Sequence, residues 1–175
     1  TIEGSFAVNS YNVIYKVDGE DYNVVPVTYG SEITLIEAPT KEGHTFSGWS
    51  EAPDSMPAED VTIEGCFTVN KYAVIYKVDG VEYAVDSVAY GSDIVLREYP
   101  TKTGHTFGGW SEVPATMPAE DVIVEGRFTV NSYNVIYKVD GDEYETVSVV
   151  YGTPVTLIEA PTKVGHTFSG WKGEQ

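Results

Sequence analysis

Residues 11–30 read YNVIYKVDGEDYNVVPVTYG, two apolar-rich runs flanking Asp18-Gly19. Asp-Gly between alternating runs is a hairpin signal, because glycine accepts the positive φ that a tight turn needs. The spacing predicts one strand over 11–17 and a second over 22–29. On the first, Tyr11, Val13, Tyr15 and Val17 share a face, while Asn12, Ile14 and Lys16 share the other. Tyr29-Gly30 closes the second strand. The stretch returns as YAVIYKVDGVEYAVDSVAYG at 72–91 and YNVIYKVDGDEYETVSVVYG at 133–152, so the fold is built from copies of one small β-rich unit.

The period is 61 residues without a slip: Trp49, Trp110 and Trp171 keep it, as do His44, His105 and His166. Setting 10–70 against 71–131 gives 41 identities in 61 positions. Residues 1–9, TIEGSFAVN, match TIEGCFTVN at 62–70 and IVEGRFTVN at 123–131. Two phasings fit these matches. Repeats run 10–70, 71–131 and 132–175, the third truncated, with 1–9 the last strand of a preceding copy. Alternatively they run 1–53, 62–114 and 123–175 with short connectors.

Outward from the hairpin, SEITLIEAPTKEG (31–43) is ambiguous. Ile33 and Leu35 alternate like a short strand, yet a helical turn near Leu35–Ala38 also fits, with Pro39 as its stop. Residues 45–49 (TFSGW) read as a strand, APDSMPAED as a proline-rich loop, and 61–69 as a closing strand. On that strand Val61, Ile63, Phe67 and Val69 face one side, and Thr62, Glu64, Cys66 and Thr68 the other. The expected core of the first copy is Val13, Tyr15, Val17, Ile33, Leu35, Phe46, Trp49, Ile63 and Phe67, repeated at +61. Gly43 and Gly48 serve close turns. Only Asn70 and Lys71 separate the closing strand from the next copy's first strand, too little for free swinging. That spacing implies an elongated, stiff array.

The chain carries 27 acidic and 10 basic side chains, a formal net charge of −17. Phosphate binding needs clustered Lys and Arg, so nucleic acid and anionic membrane are excluded as partners. No apolar run approaches the roughly 18 residues of a spanning helix, so membrane insertion is not expected. A single cysteine, Cys66, rules out an internal disulfide. Units of about 60 residues must then hold together on small apolar cores alone.

The run Pro39-Thr40-Lys41-Glu42-Gly43-His44-Thr45-Phe46-Ser47-Gly48-Trp49, with copies at Pro100–Trp110 and Pro161–Trp171, resembles the core of the Listeria–Bacteroides repeat, also called the internalin B-type repeat. The MPAEDVTIEG segment is similar to the closing strand that follows that core. The chain departs from the family in having His at 44, 105 and 166 where tyrosine is usual. The resemblance implies a mainly β, α+β, β-grasp-like module with little helix. It also implies a secreted or wall-anchored bacterial protein, with the repeats between a recognition domain and an anchor. In the family the closing strand belongs to the module before it, which supports the first phasing. The truncated third copy would then leave an open strand edge. Head-to-tail self-association, with residues 1–9 of a neighbour filling that edge, is expected on this view.

Candidate chemistry is sparse. Three histidines, one per repeat, lack the three or four convergent ligands of a tetrahedral metal site and read as structural groups beside the Gly43-type turn. The tryptophans anchor each core or, alternatively, offer stacking platforms to sugars; together with the histidines they are the candidate ligand contacts. Acids at the hairpin tips (Asp18, Glu20, Asp21 and their copies) lack EF-hand spacing for Ca²⁺. Cys66 stands where the other copies have Ser5 and Arg127, with no histidine placed to activate it. No catalytic motif appears, and no cofactor or metal is expected. The sequence therefore reads as a non-enzymatic, extracellular spacer setting reach and stiffness. The alternative is a multivalent adhesion module for host protein or glycan.

Overall fold

A computed structural model of the chain describes residues 1–173. All of the regular structure in those residues is strand. The first repeat opens with β1 (Ser10–Val17) and β2 (Glu20–Thr28), an antiparallel hairpin in which Val17 pairs with Glu20. Asp18 (φ 52°) and Gly19 (φ 86°) both lie in the left-handed region, the type I′ geometry that matches the strands' twist. Because the turn holds only two residues, the second strand begins at Glu20 and not at the expected residue 22. The register shifts once, with Tyr15 opposite Asn23 and Lys16 opposite Asp21. Tyr22 is the extra residue of a β-bulge. Tyr83 and Tyr144 occupy the same bulge in the other copies.

After the hairpin come β3 (His44–Phe46), β4 (Val61–Gly65) and β5 (Phe67–Val69). β4 lies parallel to β1, with Val13 opposite Val61 and Tyr15 opposite Ile63, giving the mixed sheet β2-β1-β4. A parallel neighbour demands a long crossover. Residues 29–60 supply it without any helix, so the turn considered near Leu35–Ala38 does not form. β-branched Thr34 and Ile36 and the approaching Pro39 disfavour it. The crossover is pinned instead by Met56 N–H donating to Ser31 O (2.8 Å) and Gly30 N–H donating to Met56 O (2.9 Å). β3 pairs with β5 as a separate two-stranded ribbon.

The core sits where these elements meet. Val13, Tyr15, Ile33, Met56 and Ile63 are buried, with Tyr11, Val25, Val27, Ile36, Trp49, Ala52 and Val61 half-buried around them. All belong to one repeat. Leu35 is exposed, contrary to the alternation read from sequence, and Ile36 packs inward instead. The segment is not a strand, so the period of two does not govern it. Met56 was absent from the expected core because it lies in a proline-rich loop.

The second copy supplies β6 (Lys71–Val78), β7 (Val81–Ala89), β8 (His105–Trp110) and β9 (Val122–Val130), in sheet order β7-β6-β9-β8. Its buried Val74, Tyr76, Met117 and Val124 stand 61 residues after Val13, Tyr15, Met56 and Ile63. β9 is continuous, whereas the corresponding run in the first copy breaks at Cys66 between β4 and β5. The third copy contributes the hairpin β10 (Ser132–Val139) and β11 (Asp142–Val150), with Tyr137 buried. Residues 1–9 form no strand, and Ile2 and Phe6 are fully exposed. The described residues contain no partner strand for them.

The chain packs as two units. One comprises Thr1–Leu96 with Ser111–Glu125, and the other Arg97–Trp110 with the chain from Gly126 onward. The first contains β1 to β5, the β6–β7 hairpin and the buried residues of the second copy. The second contains β8, the end of β9 and the β10–β11 hairpin. No helix among the described residues is long and apolar enough to cross a membrane.

Met56 is 1% exposed although it lies outside every strand. Truncating a buried methionine removes its transfer energy and leaves a cavity, so Met56→Ala should destabilise the first repeat by about 2–5 kcal/mol. Urea unfolding followed through the NMR signals of Val13 and Tyr15 checks this. A loss below about 1 kcal/mol would mean that the loop does not seal the core.

Candidate functional site

The hairpin turn is the first place where distant parts of a repeat converge. Asp18 Oδ1 accepts the Phe67 N–H at 2.8 Å, and the Asp18 N–H donates to Gly65 O at 3.0 Å. The aspartate thus holds a left-handed conformation and staples the turn to the junction of β4 and β5. Lys41 Nζ lies 4.0 Å from Asp18 Oδ2 and 5.4 Å from the Phe67 ring centre. Lys102 stands likewise over Phe128 at 5.5 Å, and Lys163 reaches Asp140 at 3.0 Å. Exposed pairs of this kind are worth well under about 1 kcal/mol, so they trim the surface without holding the fold. At the other end of β1, Asp60 Oδ1 accepts the Asn12 N–H, and Asp121 Oδ1 the Ala73 N–H, both at 2.7 Å. The acid before the closing strand therefore anchors the entry of the first.

An aromatic cluster forms the second convergence. Trp49 meets Tyr15 at 5.0 Å and Phe46 at 4.9 Å between ring centres, both edge to face, and Phe46 meets Phe67 at 5.3 Å. Such pairs add about 0.5–1.5 kcal/mol beyond the area they bury. The Trp49 indole N–H donates to Ile36 O at 3.0 Å, Trp110 to Arg97 O at 2.8 Å and Trp171 to Ile158 O at 3.2 Å. Each indole is half-buried with its polar end engaged. The bulge carries Tyr22 over the same cluster, 6.1 Å from Trp49, and Tyr144 lies 6.2 Å from Trp171. Sequence reading missed this tyrosine; its signal was the tyrosine at 22, 83 and 144, three residues after each turn glycine. Gly65 was also missed. A Cβ there would fall on the Phe46 ring, and one at Gly126 on Phe107.

The histidines stand apart from this cluster, at the start of β3 and its copies. His44 Nδ1 contacts Glu42 O at 2.7 Å, His105 Nδ1 contacts Thr103 O at 2.9 Å, and His166 Nδ1 contacts Val164 O at 2.9 Å. A carbonyl only accepts, so Nδ1 carries the proton in each. No three His, Cys, Asp or Glu side chains gather among the described residues as a metal would require. Cys66 is exposed, and its thiol donates to Ser47 Oγ at 3.3 Å. A shallow hollow of about 570 Å³ opens on Gly30, Glu32, Leu35, Pro53 and Asp54.

Known proteins share this repeat. The profile of the Listeria–Bacteroides repeat domain matches residues 11–68, 72–123 and 133–175. Internalin H of Listeria monocytogenes is 34% identical over 144 residues, covering 70% of this chain and 26% of that protein. A protein of Evansella cellulosilytica whose name assigns it to the membrane is 29% identical over 192 residues, covering 98% of this chain and 29% of its own length. The chain thus spans less than a third of either relative. Among solved structures, the Streptococcal High Identity Repeats in Tandem (SHIRT) domains 3-4 from a cell surface protein match 68% of this chain and 95% of theirs, at a TM-score of 0.31 and 14% identity.

The turn carries a direct test. Asn keeps both the acceptor and the tolerance for positive φ, whereas Ala loses both. Asp18→Asn should leave stability within about 0.5 kcal/mol of the parent, and Asp18→Ala should cost about 1–3 kcal/mol. Urea midpoints of the two variants give the comparison; equal midpoints would show that the staple contributes nothing.

Proposed function

Because the chain belongs to the Listeria–Bacteroides repeat family, we propose that it is a non-enzymatic spacer region of a bacterial cell-surface or secreted protein, setting the reach and stiffness of what it carries. The observation that supports this most strongly is the chain between repeats. β5 ends at Val69 and β6 begins at Lys71; β9 ends at Val130 and β10 begins at Ser132. One asparagine separates them in each case, far short of the glycine- and serine-rich stretches that let modules swing. On this reading the repeats run 10–70, 71–131 and 132–175, a phasing that the pairing of β1 with β4 of its own 61-residue period supports. Stability then accumulates as small cores plus nearest-neighbour contacts, the logic of repeat proteins. The net charge of −17 keeps such an array soluble. An internalin among the relatives fits an extracellular location.

A second reading, multivalent adhesion, draws on the bulge tyrosines. Tyr22, Tyr83 and Tyr144 are 52%, 51% and 51% exposed. An aromatic patch repeated at a fixed period suits weak binding of host protein or glycan strengthened by avidity. Head-to-tail pairing of residues 1–9 with the free edge of β10 is a further expectation, read from whether sedimentation depends on concentration.

Small-angle scattering tests the spacer reading. A compact protein of 175 residues has a radius of gyration of about 16 Å. The spacer reading requires a clearly larger value with a rod-like cross-section regime that persists when salt screens the acidic surface. A value near that of a compact sphere contradicts it. Binding to a glycan or host-protein array that Tyr22→Ser, Tyr83→Ser and Tyr144→Ser together abolish would favour adhesion.

A further inference from the structure

The connecting asparagine does more than shorten the linker. Asn70 N–H donates to Gly43 O at 2.8 Å, Asn70 O accepts the Tyr90 N–H at 2.9 Å, and Asn70 Oδ1 accepts from Thr45 Oγ1 at 2.7 Å. Gly43 and Thr45 belong to the first repeat and Tyr90 to the second, so one residue ties both repeats to itself. The Tyr90 ring lies directly on Gly43: a Cβ at that position would overlap it. Gly43 has φ 68°, which turns the chain so that its bare backbone meets the ring. Beside it, the His44 ring stands edge to face between Phe67 of its own repeat (6.2 Å) and Tyr90 of the next (5.8 Å).

The second junction repeats these contacts. Asn131 N–H donates to Gly104 O and Asn131 O accepts the Tyr151 N–H, both at 2.8 Å, and Thr106 Oγ1 reaches Asn131 Oδ1 at 2.7 Å. A Cβ on Gly104 would overlap the Tyr151 ring, and His105 stands 6.2 Å from Phe128 and 6.1 Å from Tyr151. Tyr29 holds the corresponding place in the first repeat. Its N–H donates to Asn9 O at 2.9 Å, but the residue is 55% exposed, and no glycine-histidine turn covers it among the described residues.

We propose that the Gly43-His44 turn of one repeat is the docking partner of the Tyr90 ring of the next, and that this clasp, keyed by the connecting asparagine, fixes the orientation of consecutive repeats. The partner surface is thus another copy of the same repeat, recognised by a tyrosine face on a side-chain-free turn. The clasp explains why a glycine must precede the histidine: any side chain would occupy the space of the ring. It also gives the tyrosine that ends the second strand of each hairpin a role directed outside its own repeat. The inference rests on the stiff-spacer reading, since a joint with no fixed geometry has nothing for a clasp to fix.

Paired spin labels test it in the full chain. With Cys66→Ser as background, labels on Glu20→Cys and Val81→Cys report the distance between the tips of the first two hairpins. The clasp predicts a narrow distance distribution that roughly doubles in width with Tyr90→Ala and with Gly43→Ala, as the joint reverts to a short flexible link. Tyr29→Ala, a substitution of the same tyrosine with no turn against it, should leave the width unchanged. Near-UV circular dichroism establishes that each variant keeps its folded repeats, and Tyr90→Ala serves alone where Gly43→Ala strains the turn. A broad distribution in the background chain overturns the stiff-spacer reading and the clasp with it. A narrow distribution that Tyr90→Ala leaves unmoved, or that Tyr29→Ala broadens equally, overturns the clasp and leaves the spacer standing.

Discussion

The parallel contact between β1 and β4 is the constraint on which each repeat depends. Val13, Tyr15 and Ile63 have essentially no exposed surface, and they meet across this one pairing. Fully burying side chains of this size contributes about 1.5–3 kcal/mol each, a large share of what a unit of about 60 residues can collect. The hairpin alone could not supply it, because an isolated two-stranded ribbon leaves one face wet and is marginal in water. In the third copy, where no parallel strand is described beside β10, Val135 is only half-buried and Ile136 is 54% exposed, where Val13 is sealed and Ile14 half-covered, although Tyr137 stays buried.

Bringing a parallel strand alongside β1 forces the chain through a crossover, and the crossover explains most of the remaining structure. It carries Ile33 and Met56 beneath the sheet and Trp49 against Tyr15. It also holds β3, whose pairing with β5 places the Gly43-His44 turn at the end of the repeat, next to Asn70. Core formation and contact with the following repeat are therefore consequences of one topology. A repeat made this way holds its core without a disulfide, through a burial pattern renewed every 61 residues.

The hairpins were legible in the sequence because the turn chemistry is local: Asp-Gly between alternating strands admits few alternatives, and φ is positive at both residues in all three copies. The closing strand was legible for the same reason, its clean alternation. What periodicity could not reveal was which strand pairs with which, since parallel and antiparallel neighbours leave the same pattern. Met56 escaped notice because a buried residue in an irregular loop has no period at all. Leu35 was misplaced because a period of two was extended into a segment that is not a strand. Tyr22 required knowing that a bulge turns one extra residue toward Trp49. The role of Tyr90 was hidden because its contact crosses a repeat boundary, while 61-residue periodicity directs attention to the interior of each copy.

On the spacer reading every full repeat owns its core and meets its neighbour at a defined joint. Pulling the chain from its two ends in a single-molecule force experiment examines this most directly. Two complete repeats should rupture in separate events, each releasing up to about 200 Å of chain, the extended length of 61 residues. A single event that releases both repeats at once would mean that they share one apolar interior, which contradicts separate cores.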